Sequence, residues 1–171
     1  MRLDLADVCI RSFRRDDAAA LVREADNRAV WLTLRDRFPH PYTATDAAAF
    51  LTAVAAQAPE SDFAIAAPAG LIGGIGVQRQ PDVHRLSAEI GYWLGEAYWR
   101  RGIATRAVRA FTEHLFATTP LERLQAFVFA TNPASTRVLE KAGYQFEGRL
   151  RRAVLKDGRL LDQLVYAALR P

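Results

Sequence analysis

The chain has 171 residues, half of them apolar and a quarter charged, with a formal net charge of +4. That length suits one domain with a real core, and the composition is that of a water-soluble globular protein; no run approaches the 18 apolar residues a membrane helix needs. Two of the 23 basic residues are lysines (Lys141 and Lys156) and the rest are arginines spread along the chain, which argues against a nucleic-acid surface.

The opening MRLDLADVCIRSF carries acids and no long apolar core with a cleavage site, so a cytoplasmic protein is expected. The single Cys9 cannot close an internal disulfide, and with the scattered His40, His84 and His114 it shows no metal-ligand spacing. Val8 to Phe13 alternates apolar and polar residues, which predicts a half-buried first strand. Arg15 to Ala25 predicts a helix with an apolar stripe at Ala18, Leu21 and Val22. Val30 to Tyr42 holds two prolines and three aromatics and reads as an irregular loop. Thr45 and Asp46 then cap an expected helix from Ala47 to about Gln57, ended by Pro59.

Asp62 to Ala67 and Leu71 to Arg79 predict two strands joined at Pro68-Ala69-Gly70. The glycines of GLIGGIGV do not complete a GxGxxG dinucleotide loop, and they read as a bent strand crowded by a neighbour. Leu86 to Leu94 predicts a fourth strand, followed by YWRRGIATRA and a helix from Ala104 to about Thr118. Leu124 to Ala130 predicts a fifth strand. Asn132-Pro133 opens another helix, stopped at Gly143, and Tyr144 to Leu155 and Leu160 to Leu169 form a final pair turned at Asp157-Gly158. No repeat or linker interrupts this order, so residues 1–171 are expected to form one mixed α/β domain.

The start of the long helix is unusual, because Arg100, Arg101 and Gly102 stand where an ordinary cap would be. Unpartnered N–H groups at a helix start carry partial positive charge, and a glycine there lets a ligand approach the backbone. Such a turn suits a phosphate or pyrophosphate, or it is a plain helix start with two solvated arginines. No Walker loop is present.

WRRGIAT, followed by NPASTRVLEKAGY with its N-x-x-S-x-x-V-L-E-K-x-G-Y spacing, resembles the GNAT superfamily of N-acetyltransferases. FPHPYTATDAAAFL and EG-x-L-R resemble its branch of ribosomal-protein N-terminal acetyltransferases. The resemblance implies a GNAT-type fold, an α/β (α+β) architecture with a single mixed, mostly antiparallel sheet. That sheet would be splayed between the fourth and fifth predicted strands and flanked by helices. It implies acetyl-CoA as cosubstrate, its pyrophosphate on the turn of Arg100, Arg101, Gly102, Ile103, Ala104 and Thr105. Its pantetheine arm would run beside Tyr92, Trp93 and Leu94, with Asn132 in contact, and no metal is implied. The partner would be an amine acceptor, either a protein N-terminus or a small amine, on a monomer or homodimer without direct nucleic-acid or membrane binding. A non-catalytic acyl-CoA-binding or RNA-associated module is the alternative from another class.

Amide formation from a thioester needs a neutral amine, a donor to the carbonyl oxygen and a donor to the leaving thiolate. Glu89 is the candidate base, or else a strand carboxylate paired with an arginine such as Arg85. A backbone N–H near Leu94 could serve the oxygen. Many relatives of this kind carry a tyrosine seven residues after the asparagine. Here that position is Leu139, so the resemblance shifts the sulfur donor to Ser135, whose alternative is an ordinary first-turn polar residue. Tyr144 reads as packing. Trp99 departs from the glutamine or arginine usual three before the glycine. Trp31, Phe38 and Tyr42 either line the acceptor entrance or plug the core.

Overall fold

The computed structural model describes residues 1–171. Eight strands form one sheet: β1 (Arg2–Leu5), β2 (Val8–Ser12), β3 (Asp62–Ala67), β4 (Gly70–Arg79), β5 (Ser87–Leu94), β6 (Arg123–Phe129), β7 (Gln145–Lys156) and β8 (Arg159–Leu169). Their order across the sheet is β1-β2-β3-β4-β5-β6-β8-β7. Every neighbouring pair is antiparallel except β5–β6, the two strands joined by a helical crossover. The helices are α1 (Ala18–Ala25), α2 (Arg28–Trp31), α3 (Ala44–Ala55), α4 (Ile103–Thr118) and α5 (Pro133–Lys141). None is long and apolar enough to cross a membrane.

Two cores lie on opposite faces of the sheet. One joins α4 and α5 to Ile10, Ile65, Ile90 and Leu124, with Phe111 fully enclosed. The other joins α1 and α3 to Ala64 and Leu71. Adjacent residues such as Ala64 and Ile65 thus serve different cores, as period-two alternation requires.

Three details depart from the expectations. A short edge strand, β1, precedes the predicted first strand and pairs with it. The helix expected from Ala47 starts at Ala44, because Thr43 rather than Thr45 is its cap. Thr43 Oγ1 accepts from the Asp46 N–H while the Asp46 carboxylate accepts from the Thr43 N–H, a reciprocal capping box. The expected loop from Val30 begins inside the short helix α2, whose cap is Asn27.

Three of the four glycines of β4 are explained by crowding, and the fourth, Gly70, by its φ of 122°. A Cβ on Gly73 would lie 2.3 Å from the Trp93 carbonyl oxygen, and one on Gly74 would lie 2.8 Å from the Trp93 indole nitrogen. Asp62 crowds Gly76 in the same way, at 2.6 Å.

Candidate active site

The site begins where β5 and β6 part. Their parallel register holds for Ser87, Ala88 and Glu89 only, so β5 runs five residues further, to Leu94, without a β6 partner. The Gly95 N–H bonds the Ile72 carbonyl, and the Ser87 carbonyl accepts from the Gln80 N–H. Odd-numbered residues of β5 therefore direct their backbone groups to β4, and those of Tyr92 and Leu94 face the gap. The Leu94 carbonyl is taken by the Trp99 indole N–H at 2.9 Å. Trp99 thereby ties the turn to the end of the strand through its ring, a role the departure at this position did not reveal. Trp93 does not join its neighbours at the gap: its backbone pairs with β4, and its ring meets Phe38 edge-on at 5.3 Å.

At the end of the gap lies the N-terminus of α4. The first backbone N–H in this region with an acceptor inside the chain is that of Arg106, bonded to the Gly102 carbonyl. The N–H groups of Arg100, Arg101, Gly102, Ile103, Ala104 and Thr105 have none. Arg100 and Gly102 both adopt left-handed backbone, at φ 60° and 72°, which turns successive N–H groups into a concave cluster. With the helix dipole behind it, this cluster fits an anionic phosphate group. The side chains of Arg100 and Arg101 are exposed, and Arg101 lies 5.8 Å from the Tyr98 ring centre. The concave cluster is made by the free amides and not by the guanidinium groups.

Across the gap, Asn132 caps α5 by accepting from the Ser135 N–H at 3.2 Å, which leaves its own amide N–H groups without a partner. Ser135 Oγ lies 2.7 Å from the Tyr92 hydroxyl. Burial pushes the Tyr92 phenol well above the ordinary tyrosine range, so it remains a neutral donor. Leu139 is fully buried in the core, and the Tyr144 hydroxyl bonds Thr112 at 2.7 Å within the same core. Neither reaches the gap.

Glu89 points to the opposite face of β5, the face that carries α1 and α3. Its carboxylate is mostly covered, and its partner is Arg35, from the segment before Phe38, rather than Arg85. No signal in the sequence distinguishes Arg35 among so many arginines. Arg35 and Asp36 also line a pocket of about 220 Å³ with Phe129, Val154, Lys156 and Gln163. This pocket lies between the Trp31–Tyr42 segment and the last hairpin. Lys156 is buried and bonds Asp36 at 2.7 Å, with its ammonium 3.6 Å from the centre of the Trp31 ring. Trp31 thus fastens the segment to the hairpin. Phe38 bridges Trp93 and Tyr42, while Tyr42 is buried in the second core and offers no open face.

The sheet thus parts beside a cluster of unpartnered helix-start amides, with a carboxylate on the far face. The family model described as "Acetyltransferase (GNAT) domain" matches residues 7–145, and the chain belongs to that family. It is 39% identical over 101 residues to YoaA, an uncharacterized N-acetyltransferase of Bacillus subtilis, covering 59% of this chain and 56% of YoaA. It is 32% identical over 99 residues to the ribosomal-protein-serine acetyltransferase of Escherichia coli, covering 58% and 55% of the two chains. The chain therefore aligns with little more than half the length of these curated relatives. Among solved structures, RimJ of Mycobacterium smegmatis in complex with CoA-disulfide superposes with a TM-score of 0.81 at 28% identity, over 95% of this chain and 81% of that one.

Proposed function

We propose that this protein transfers the acetyl group of acetyl-CoA to a primary amine, and that the amine is a protein N-terminus of the ribosomal-protein kind. The observation that carries the transfer reaction is the run of six unpartnered amides, Arg100 to Thr105, at the end of the gap beside β5. Similarity to the ribosomal-protein-serine acetyltransferase and to RimJ supports the choice of acceptor.

Acetyl-CoA supplies a thioester, whose acyl carbon takes the amine's lone pair while CoA leaves as a thiolate. The amides from Arg100 to Thr105 hold its pyrophosphate, and the free backbone groups of Tyr92 pair with its amide-bearing arm like an added strand. Asn132, with its side-chain N–H groups free, contacts the same arm. The Leu94 N–H donates to the carbonyl oxygen as charge gathers there. On the α5 side, the Ser135 hydroxyl donates a hydrogen bond to the departing thiolate without giving up its proton, and Tyr92 holds that hydroxyl in place. On the other face, Glu89 accepts the amine's proton, directly or through a water. An N-terminal ammonium, with a pKa around 8, yields that proton far more readily than a lysine at about 10.4.

The test is release of CoA thiol from acetyl-CoA with a panel of ribosomal-protein N-terminal peptides, polyamines, amino acids and aminoglycosides. Turnover of N-terminal peptides with kcat/KM well above that of the small amines is expected. Preference for a small amine would overturn the acceptor assignment, and CoA binding without turnover of any amine would overturn the transferase reading.

A further inference from the structure

Gly91 is the one glycine of β5, and its presence there has no structural explanation. A glycine inside a strand weakens it, through backbone entropy and the loss of a packing side chain. Gly73, Gly74 and Gly76 of β4 are forced by close neighbours, and Gly70 and Gly102 by their positive φ. Gly148 lies where the β7–β8 register shifts. Gly91 has no left-handed backbone, sits in regular register opposite Gly76, and a Cβ placed on it would meet nothing within 4 Å. The residue is exposed although it stands in the middle of the sheet.

Its surroundings show what the open space is for. Residues two apart on a strand share a face, so Glu89, Gly91 and Trp93 line up on the side away from α5. Glu89 and Trp93 are four residues apart, about 13 Å along the strand at 3.2–3.4 Å per residue. The ladder partner of Gly91 on that face is Gly76, whose own outward space is taken by the Asp62 carboxylate, so the open floor lies at Gly91. Arg35 covers the Glu89 end, and Phe38 stands against Trp93 at the other. The Asp62 carboxylate, lying over Gly76, borders that floor, with Oδ1 free while Oδ2 accepts from Gln57 and Ser61. The result is a slot with a carboxylate on two sides and an apolar wall at one end, directly over the strand whose other side faces the gap.

We infer that the open floor at Gly91 is where the acceptor's amine and its first side chain sit, and that Gly91 sets the size of acceptor admitted. This rests on the transferase reading above and adds to it the residue that selects the acceptor. The two carboxylates favour a cationic amine in the slot, and the missing side chain leaves room for the atoms next to it.

The experiment compares the wild-type chain with Gly91→Ala and Gly91→Val in three measurements: CoA affinity by calorimetry, thermal melting, and CoA release with peptides whose first residue is Gly, Ser or Leu. Because both replacements suit a strand, melting temperature is expected to hold or rise. CoA affinity should stay within threefold. The value of kcat/KM for the peptides should fall roughly tenfold with Gly91→Ala and at least a hundredfold with Gly91→Val, the Leu peptide suffering first. Wild-type activity retained by Gly91→Val would overturn the inference, as would CoA affinity falling in step with turnover. A wild-type chain inactive on every amine would overturn the transferase reading, and the inference with it.

Discussion

The Tyr92 hydroxyl on β5 and the Ser135 hydroxyl on α5 lie 2.7 Å apart, joining the two sides of the parted sheet. If Ser135 serves the leaving sulfur and Tyr92 orients it, the two residues act as one unit. Ser135→Ala is expected to lower kcat about tenfold, equivalent to one hydrogen bond of about 1.4 kcal/mol. Tyr92→Phe should fall by a similar factor, and the double variant should be scarcely worse than either alone. Single-turnover rates for the four proteins check this, and additive losses would separate the two roles.

Glu89 and Arg35 make a different kind of pair. The carboxylate is mostly covered and the arginine nearly half exposed, at 18% and 45% of their side-chain surface. Glu89→Gln removes the proposed base and should lower kcat by about 10²- to 10⁴-fold while CoA affinity holds. Arg35→Ala should do the opposite: a cationic acceptor no longer competes with the guanidinium for Glu89, so the acceptor's KM falls. The gain should be no more than about fivefold, since half-exposed pairs contribute about 0.2–1 kcal/mol and are screened by salt. Steady-state kinetics at low and high salt distinguish the two effects.

Much of this site was legible in the sequence because local chemistry specifies it. Asn132-Pro133 announces the start of α5 by its cap and first-turn proline, and the structure has the cap bond. Alternation along β5 correctly assigned Tyr92 and Glu89 to opposite faces. What could not be read depends on partners distant in the chain. Arg35 finds Glu89 across 54 positions, and Lys156 finds Asp36 across 120. The edge strand β1, with its charged residues alternating with Leu3 and Leu5, is too short and polar to announce itself before β2 is in place. The crowding of Gly73 and Gly74 by Trp93 follows only from the β4–β5 register.

Buried tyrosines should make the fold sensitive to alkali. Burial, helped by the negative charge of Asp46, pushes the Tyr42 phenol up to about 12, and burial raises Tyr92 and Tyr144 as well. Below pH 10 all three are protonated both folded and unfolded, and the contribution to stability is complete. As pH rises through 10 the unfolded chain releases protons that the folded chain keeps, so stability is lost. Each tyrosine contributes a slope of up to about 1.4 kcal/mol per pH unit in that window. Urea denaturation between pH 9 and 11 should show the decline, and Tyr42→Phe should make it shallower.

The Lys156 ammonium is buried against Trp31 and has a single carboxylate partner, Asp36. Asp36→Ala leaves that charge without its partner, whereas Lys156→Met replaces it with an apolar chain of similar length. Asp36→Ala should therefore be the more destabilising, by about 1–3 kcal/mol, because an unpaired buried charge costs more than a well-packed apolar substitute. Equal melting temperatures for the two variants would contradict this account of the strap between the Trp31–Tyr42 segment and the last hairpin.

The proposed pyrophosphate cradle makes the sharpest distinction between backbone and side chain. Gly102 holds φ at 72° with its N–H free, and Arg100 holds 60° in the same turn. Gly102→Val puts a β-branched residue into left-handed backbone, at a cost of about 1–3 kcal/mol, and the turn relieves that strain by rotating the amides out of the cradle. Acetyl-CoA affinity should fall at least tenfold. Arg101→Ala removes only an exposed guanidinium stacked near Tyr98, and affinity should change less than threefold. Arg100→Gly keeps the amide and relaxes the left-handed position, so it should bind nearly as the wild type does. Calorimetric titration of the four proteins with CoA orders them; a larger loss for Arg101→Ala than for Gly102→Val would move the pyrophosphate contact from the amides to the arginine.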